Sequence, residues 1–377
     1  MAKRSRLIAL FVGLSLVLAA CGSGDENAAV DTAAELPGRD DEAVVCEAGQ
    51  TDGDLNLYIW TEYIDPDLIA AFEEETGVEV VADFYDSNEA MLAKLQSGAV
   101  YDLIVPSDYM VGIMIEDSIL AEIQRDAVPN LAHLAQFFTD PAYDPGAVYS
   151  AAYQWGTTGL GVNMDVVGED FEATWGLVFD PDLIAEYPGG VSLLNDPRET
   201  MGAALKYLGY SLNSTSEAEL QEAADVIAAA KEYVAQFDSD RYEDSLVSGE
   251  VAVAHGRSGN FFVSFDDVDG WDTYAYVIPN EGATIWIDNM SVPVTAEHPC
   301  TAHTFINFLL DAENGAALTN WSFYASPNLA AEAFIDPEIL EDETIYPSEE
   351  LSELLEIITD TGNFEVQYTN YFAIAKT

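Results

Sequence analysis

The sequence predicts an α/β protein, because strand-like and helix-like segments alternate at two places along its 377 residues. Residues 55–105 contain three apolar strand-like runs separated by two helix-like segments, and residues 191–260 repeat this alternation. Parallel strands joined through helices form right-handed crossovers, which bring the loops after the strands to one edge of the sheet. Ligands of open α/β sheets bind at that edge, so we expect a small-molecule cleft there.

End signals frame the two helices of the first alternation. Asp65 and Pro66 are typical of a helix start, and Gly77 is placed to end the same helix. Asp86 and Glu89 form a candidate capping pair for the second helix. Between these helices, strands are predicted at residues 55–59, 78–81 and 101–105.

A glycine-rich segment at residues 147–163 predicts two strands that meet at the glycines. The spacing of Gly156, Gly159 and Gly161 is not a dinucleotide-binding fingerprint, because no helix follows it at once. We interpret the segment as a crossing between two domains. Beyond it, the second alternation predicts a strand at 191–194, a helix that ends at Gly209, an amphipathic helix at 214–234 and a strand at 252–255.

The chain begins with the features of an export signal. Three basic residues precede a mostly apolar run at residues 7–20, which is too short to span a bilayer comfortably. Its end resembles a bacterial lipoprotein signal, which implies a signal peptide at 1–20 and a lipid on Cys21; an ordinary secretion signal is the alternative. Residues 21–50 lack an apolar period and predict a flexible tether. We therefore expect a lipid-anchored protein in the periplasmic space or on the outer face of the cytoplasmic membrane.

The net charge of −56 excludes nucleic acid as a partner, because phosphate contacts need a basic surface. Residues 1–20 hold three of the 12 basic residues and none of the 68 acidic ones, so cleavage leaves a charge of −59. This acidity suits a cationic ligand. It also suits a protein kept soluble in salty surroundings, and the sequence leaves both explanations open.

Two cysteines remain besides Cys21, and an even pair in an oxidising compartment predicts a disulfide between Cys46 and Cys300. The nearby His298 and His303 lack enough further ligands and a zinc-site spacing. We therefore expect neither a metal nor a cofactor.

Eight short motifs, in order along the chain, resemble those of polyamine-binding solute receptors, the spermidine/putrescine-type substrate-binding proteins of ABC transporters. The resemblance runs from Leu57 to about Ala330 and weakens toward the C-terminus. It is carried by residues 60–66, 86–95, 101–109, 153–161, 194–199, 286–288, 306–310 and 326–330.

This resemblance implies a periplasmic-binding-protein fold, with two α/β lobes joined by a hinge and a ligand cleft between them. The N-terminal lobe is then expected at residues 51–157 plus 288–332, and the C-terminal lobe at 158–287 plus 333–377. A monomer that delivers a small amine to ABC permease subunits is implied, with membrane attachment only through the lipid.

The resemblance also implies the ligand contacts. An alkyl amine needs carboxylates at its cationic ends and flat aromatic rings along its methylenes. The positions that match family contacts are Trp60, Thr61, Tyr63, Ser107, Tyr109, Asp196, Glu199, Trp286, Asp288 and Tyr324.

Two further cleft positions depart from the family pattern. Arg257 stands where an aromatic residue stacks on the ligand, and Asn260 stands where many putrescine-type members carry aspartate. A buried cation beside an ammonium group is costly unless it is paired. Arg257 is therefore expected either to pair with Asp196 or Glu199, or to bind a carboxylate on a zwitterionic amine such as γ-aminobutyrate, an amino acid or an opine-like ligand.

A periplasmic enzyme is the remote alternative. Asp196 and Glu199, or Asp108 and Asp288, could in principle do acid–base work. No catalytic triad, metal-ligand cluster or nucleophile elbow is recognisable, which favours a receptor. A sensory receptor that signals through a partner is a third interpretation that the sequence does not separate from transport.

Overall fold

The computed structural model describes residues 44–377. The predicted signal peptide, the predicted lipidation site Cys21 and residues 22–43 of the predicted tether lie outside the described residues. Within 44–377, no helix is both long enough and apolar enough to cross a membrane.

The described residues form two sheets, which contain ten strands. In chain order the strands are β1 Leu55–Trp60, β2 Val80–Tyr85, β3 Leu103–Ile104, β4 Ala151–Asn163, β5 Val191–Leu193, β6 Val234–Phe237, β7 Val253–Arg257, β8 Tyr274–Val277, β9 Thr284–Met290 and β10 Glu356–Ile357.

The first sheet has the parallel order β2-β1-β3, which confirms the α/β class. Along β1, Leu55, Leu57 and Ile59 pack into one hydrophobic cluster and Tyr58 packs into another on the opposite face. Both faces are therefore covered, as parallel sheets require. The strand predicted at 78–81 begins at Val80 and continues to Tyr85, because its backbone stays paired with β1 as far as Trp60.

The second sheet is built around β4, which is one continuous strand of 13 residues and not the two strands predicted. It stays continuous because its partners overlap: β9 pairs as far as Thr158, where pairing with β7 begins. The remaining strands extend the sheet in the order β10-β9-β4-β7-β5-β6, and β8 also pairs with β4.

Helices cover both sheets. The α-helices are α1 Pro66–Thr76, α2 Asn88–Gln96, α3 Asp108–Glu116, α4 Met164–Val167, α5 Gly176–Phe179, α6 Pro181–Ile184, α7 Pro197–Tyr207, α8 Glu217–Ala230, α9 Tyr242–Val247, α10 Ser258–Asp267, α11 Pro299–Leu309, α12 Ala312–Ser322, α13 Pro337–Leu340, α14 Glu349–Ser352 and α15 Glu365–Ala375. Short 3-10 helices lie at Pro129–His133, Gln136–Thr139, Lys231–Tyr233, Ala331–Ala333 and Gly362–Phe364.

Side-chain caps begin three helices that matter for the cleft. Asp65 accepts from the Asp67 amide at the start of α1, as predicted. At α2 the cap is Ser87, whose side chain accepts from the Ala90 amide, and not the predicted Asp86–Glu89 pair. Asp196 caps α7 by accepting from the amides of Arg198 and Glu199.

Two lobes follow from the hydrophobic packing. One cluster is drawn from residues 46–155 and 286–324 and forms the core of the first lobe. A second cluster, drawn mainly from residues 160–283 and 325–375, forms the core of the second lobe. The chain passes between the lobes along β4 and β9, so the hinge is built from strands.

The N-terminal end of the described chain is fixed to the first lobe. Cys46 is buried and forms a disulfide with Cys300 at the start of α11, with a Cα–Cα distance of 5.1 Å. Its amide donates to Gln124, and Gln50 accepts from the Thr304 hydroxyl at 2.7 Å. Residues 46–50 therefore pack against the lobe, and the flexible tether predicted at 21–50 extends too far along the chain.

Candidate functional site

One cleft between the lobes contains every ligand contact that the sequence suggested. The first lobe supplies the loops after β1 and β3, the second lobe supplies the starts of α7 and α10, and β9 runs along the base. The suggested residues that line it are Trp60, Thr61, Tyr63, Ser107, Tyr109, Asp196, Glu199, Arg257, Asn260, Trp286, Asp288 and Tyr324.

Aromatic rings form the walls of the cleft. The ring centroid of Tyr324 lies 5.3 Å from that of Tyr63 and 5.1 Å from that of Trp286, in edge-on contacts. On the opposite side, Trp60 is held by its indole Nε1, which donates to the Val105 carbonyl at 3.0 Å. These rings offer flat surfaces on which methylene groups and ammonium groups bind favourably.

Two glycines let the aromatic wall approach the backbone. A Cβ at Gly156 would lie 2.8 Å from the Trp286 ring and 3.0 Å from Tyr324. A Cβ at Gly259 would lie 2.7 Å from the Tyr324 ring. The glycine-rich crossing thus serves close packing behind the cleft.

Asp288 lies at the base of the cleft and is oriented by a hydrogen-bonded chain. The Ser107 hydroxyl donates to Asp288 Oδ1 at 2.6 Å, and Asn88 Nδ2 donates to Ser107 Oγ at 3.0 Å. Burial raises the pKa of Asp288 to about 6, although the Ser107 hydrogen bond and the charge of Arg257 oppose the rise. Asp288 is thus a fixed acceptor, and no basic side chain within residues 44–377 forms an ion pair with it.

Glu199 faces the cleft from the first turn of α7. Its Oε1 accepts from the Thr158 hydroxyl at 3.0 Å, whereas Oε2 is buried with no hydrogen-bond partner among the described residues. Burial and the charge of Asp196 raise the pKa of Glu199 to about 7. Trp286 Nε1 is a second buried polar atom in this cleft without a partner in residues 44–377. A cation that reaches Glu199 Oε2 would supply the donor that this oxygen lacks.

Arg257 faces the same cleft but does not pair with a carboxylate. Its guanidinium carbon lies 5.0 Å from the centre of the Trp60 ring, on the other lobe. Among the described residues, its side chain has no ion pair or hydrogen bond, so the suggested pairing with Asp196 or Glu199 is not present. Asn260 accepts a hydrogen bond from the Tyr324 hydroxyl.

Comparison with known proteins identifies the family. A model of the family described as bacterial extracellular solute-binding protein matches residues 67–347. This chain is a bacterial extracellular solute-binding protein. The match agrees with the eight motifs and with the two-lobed fold.

Named relatives of this solute-binding protein cover most of its length. It is 37% identical to the putrescine/cadaverine-binding protein of Pseudomonas aeruginosa, over 82% of this chain and 89% of the relative. It is 34% identical to the spermidine/putrescine-binding periplasmic protein of Escherichia coli, over 84% and 90%. The solved TpPotD lipoprotein of Treponema pallidum superposes with a TM-score of 0.75 at 33% identity, over 85% of this chain and 99% of that one. The resemblance drawn from the motifs is therefore confirmed.

Two further residues line the cleft but were not among the suggested ligand contacts: Asn88, and Asp108, which was named above only as a possible acid–base residue. Asn88 accepts from the Ser107 amide at 3.1 Å and donates to the Tyr109 hydroxyl at 3.1 Å, so it joins two loops of the first lobe. The sequence signal that could have identified Asn88 is its position in the motif at residues 86–95. Asp108 accepts from the Ile287 amide at 3.1 Å, a contact between segments far apart in sequence that no local pattern predicts.

The arrangement is suited to binding a cationic ligand. Carboxylates and aromatic rings converge, whereas no group of three or more metal-ligating side chains occurs within residues 44–377. His255, the histidine nearest in sequence to the cleft residues, is fully buried and burial lowers its pKa to about 3. The site therefore presents hydrogen-bond acceptors to a cation.

Proposed function

We propose that this chain is an extracytoplasmic receptor that binds a polyamine of the putrescine/spermidine class between its lobes and delivers it to an ABC permease. One observation carries the proposal: Asp196, Glu199 and Asp288 meet the rings of Trp60 and Trp286 in a single cleft. Ammonium groups would bind the carboxylates through charge-assisted hydrogen bonds, and methylenes would lie against the rings. The names of the relatives, which are putrescine- and spermidine-binding proteins, support the same ligand class.

The lobe limits are part of this proposal. We assign residues 51–157 plus 288–332 to one lobe and 158–287 plus 333–377 to the other, so that the chain crosses between the lobes at three places: in β4, in β9 and after α12. The two hydrophobic clusters support this division over most of the chain, whereas Trp286 and Ile287 belong to the first-lobe cluster and Ala325 and Ala331 to the second-lobe cluster. Rotation about the crossing strands would open the cleft and release the ligand.

We also propose that the mature protein starts at Cys21 and is held by lipid outside the cytoplasmic membrane as a monomer. The sequence before Cys21 supports this, and the similar TpPotD protein is itself a lipoprotein.

Isothermal titration tests the ligand class. The purified protein is titrated with putrescine, spermidine, γ-aminobutyrate and a set of amino acids at low and high salt. We expect saturable binding of a polyamine. Retention of that binding at high salt indicates that the buried carboxylates act at short range, where salt screens them little. Binding only by amines that carry a carboxylate would contradict the proposal and would make Arg257 the ligand's anchor.

A receptor returns its ligand unchanged, and this separates it from an enzyme. Incubation of the protein with putrescine or spermidine, followed by chromatography of the released amine, should recover the amine intact. A new product that forms in proportion to protein would contradict a purely receptor role.

A further inference from the structure

Arg257 brings an unpaired positive charge into the central cleft. Of the two basic residues in the described chain that line the cleft, Arg198 forms an ion pair with Glu365 and donates to Asn213, so its charge is used to hold the C-terminal part of the chain. Arg257 forms no ion pair within residues 44–377. Because a guanidinium group does not lose its proton in proteins, this positive charge is permanent.

Contacts with both lobes fix the position of Arg257. Its backbone amide, at the end of β7, donates to the Tyr242 hydroxyl at 3.1 Å. Its guanidinium carbon lies 5.0 Å from the centre of the Trp60 ring of the first lobe, where cation–π attraction holds it. The charge therefore lies between the two lobes and faces the space in which the ligand binds.

Two buried carboxylates in this cleft have an oxygen to offer to an ammonium group. Glu199 Oε2 has no hydrogen-bond partner in the described chain, and Asp288 uses Oδ1 to accept from the Ser107 hydroxyl. Asp108 is also buried, but it already accepts from two backbone amides. Asp196 is only half-buried, and its Oδ1 caps α7. Two buried anionic positions match the two ends of a diamine.

A third ammonium group would find no comparable partner. The remaining acids that line the cleft in the described chain, Glu62, Asp86 and Asp240, are exposed to solvent, where water and salt weaken ion pairs. Asn260, in the first turn of α10 after Arg257, is neutral, and its side-chain oxygen accepts from the Tyr324 hydroxyl. The wall next to Arg257 thus adds no negative charge.

The charge of Arg257 also acts on both buried carboxylates. Burial raises the pKa of Glu199 and of Asp288, and the charge of Arg257 opposes the rise at each. Glu199 projects from the second lobe, whereas Asp288 lies on β9 at the base of the cleft. A ligand that spans these two acids therefore lies within the electrostatic reach of Arg257 along its length.

We propose that Arg257 limits the ligand of this cleft to two positive charges, so that the receptor selects a diamine over a triamine. This inference rests on the proposed function and names the ligand within its class. The two ammonium groups of the diamine bind Glu199 and Asp288, and the guanidinium group of Arg257 takes the place of a further ammonium group between the lobes. A third ammonium group would be repelled by Arg257 without a buried carboxylate to offset the repulsion.

Titration of the wild type and of Arg257→Met with putrescine and spermidine tests the inference. The wild type should bind putrescine more tightly. Methionine fills similar space without charge, so both affinities should rise in the variant, and that for spermidine should rise roughly tenfold more. Arg241→Met is the matched control: the Arg241 side chain is 71% exposed and does not line the cleft, so the ratio of the two affinities should stay as in the wild type.

A blocked triamine separates charge from length and needs no variant. N1-acetylspermidine is longer than putrescine but carries two ammonium groups, four methylenes apart as in putrescine. The wild type should bind it more tightly than it binds spermidine, because the repelled third charge is absent. If the wild type instead excludes the acetylated and the free triamine equally, length decides the preference and the inference is overturned.

The outcomes distinguish this inference from the proposed function. A wild type that prefers spermidine, or an Arg257→Met variant that changes both affinities by the same factor, would overturn the role of Arg257 and leave the polyamine receptor standing. A wild type that binds none of the three amines would overturn the proposed function and this inference with it.

Discussion

Glu199 and Asp288 are buried acids, and no basic side chain of residues 44–377 lies close enough to form an ion pair with either. Burial raises their pKa values to about 7 and about 6, so both hold protons more tightly than they do in an unfolded chain. A bound ammonium group would reverse this preference, because it stabilises the anion directly. A bound ammonium group would therefore supply the positive charge that stabilises the ionised forms of Glu199 and Asp288.

This arrangement predicts opposite pH responses for the free and the liganded protein. Between the unfolded pKa of about 4 and the folded pKa of about 7, the folded protein binds more protons than the unfolded chain, so its free energy of unfolding falls as pH rises. Polyamine affinity should rise over the same window, by up to about tenfold per pH unit for each carboxylate that the ligand needs in its ionised form. Thermal unfolding and titration at several pH values check both trends, and Glu199→Gln should flatten them.

Removal of the charge of Asp288 should weaken binding while the fold persists. We expect Asp288→Asn to cost about 1.5–3 kcal/mol of polyamine binding, the usual worth of a hydrogen bond to a charged group. Asp117→Asn, at an exposed helix end outside the cleft, is the control. An unchanged affinity in Asp288→Asn would remove this carboxylate from the site.

Arg257 should oppose polyamine binding, because its unpaired charge faces the same cleft as the ligand. At an effective dielectric constant of about 20, two like charges about 8 Å apart repel by about 2 kcal/mol, so Arg257→Trp should raise affinity by up to about thirtyfold. Arg257→Met removes the charge without adding a ring and separates the two effects. A loss of polyamine binding in both variants would show that Arg257 supports the cleft.

At the scale of elements, β4 is the strand that both carries the chain between lobes and backs the aromatic wall. Its backbone is paired on both edges near the crossing, with β9 on one side and β7 on the other. Gly156 leaves room on its surface for the rings of Trp286 and Tyr324. Any side chain at this position must displace the wall.

Gly156→Ala tests this packing. The new methyl group would lie 2.8 Å from the Trp286 ring, so we expect destabilisation of about 1–3 kcal/mol and weaker ligand binding. Gly112→Ala is the control, since the nearest neighbouring atom to its added Cβ would be 3.8 Å away. Equal melting temperatures for the two variants would contradict the packing argument.

Sequence reasoning succeeded where a signal is local or belongs to a motif. The cap at Asp65, the strand β1 and the cleft position of Asp288 were all readable, because each depends on neighbours in sequence or on a family pattern. The continuity of β4 was missed, since glycines that usually interrupt strands are here held by pairing with β7 and β9.

The place of Arg257 in the cleft could be predicted from the family pattern, but the contact of its guanidinium with the Trp60 ring could not. The ring over which its guanidinium lies, Trp60, is almost 200 residues away in sequence and on the other lobe. The burial of Glu243 was not predicted, because an acid in the first turn of a helix is ordinarily exposed and stabilised by the helix dipole. Only the packing of α9 against β7 shows that it is buried.

At the scale of the whole molecule, an excess of acidic residues surrounds a cleft that binds through a few buried ones. The net charge of −56 acts over distances that salt screens within about 10 Å, whereas contacts inside a closed cleft are screened much less. The surface charge therefore affects the solubility of the protein and the rate at which a cation reaches it. The buried carboxylates determine how tightly the bound cation is held.

The membrane attachment also belongs to this scale. Cys21→Ser should release the protein from the membrane fraction into the soluble fraction, because no helix within residues 44–377 could replace the lipid as an anchor. Immunoblots of fractionated cells check the result, with the unchanged protein as the control. Continued membrane association of the variant would argue against lipid on this cysteine.

The disulfide between Cys46 and Cys300 fixes the N-terminal end of the described chain to the first lobe. A tether on the N-terminal side of Cys46 would be joined through the disulfide to Cys300 in α11 of the first lobe. If a lipid on Cys21 holds that side of the chain, as we propose, the first lobe is the one fixed at the membrane, and the second lobe would move relative to it about β4 and β9. A transporter that receives the ligand would then contact a receptor whose first lobe is fixed by the tether and whose second lobe changes position when ligand binds.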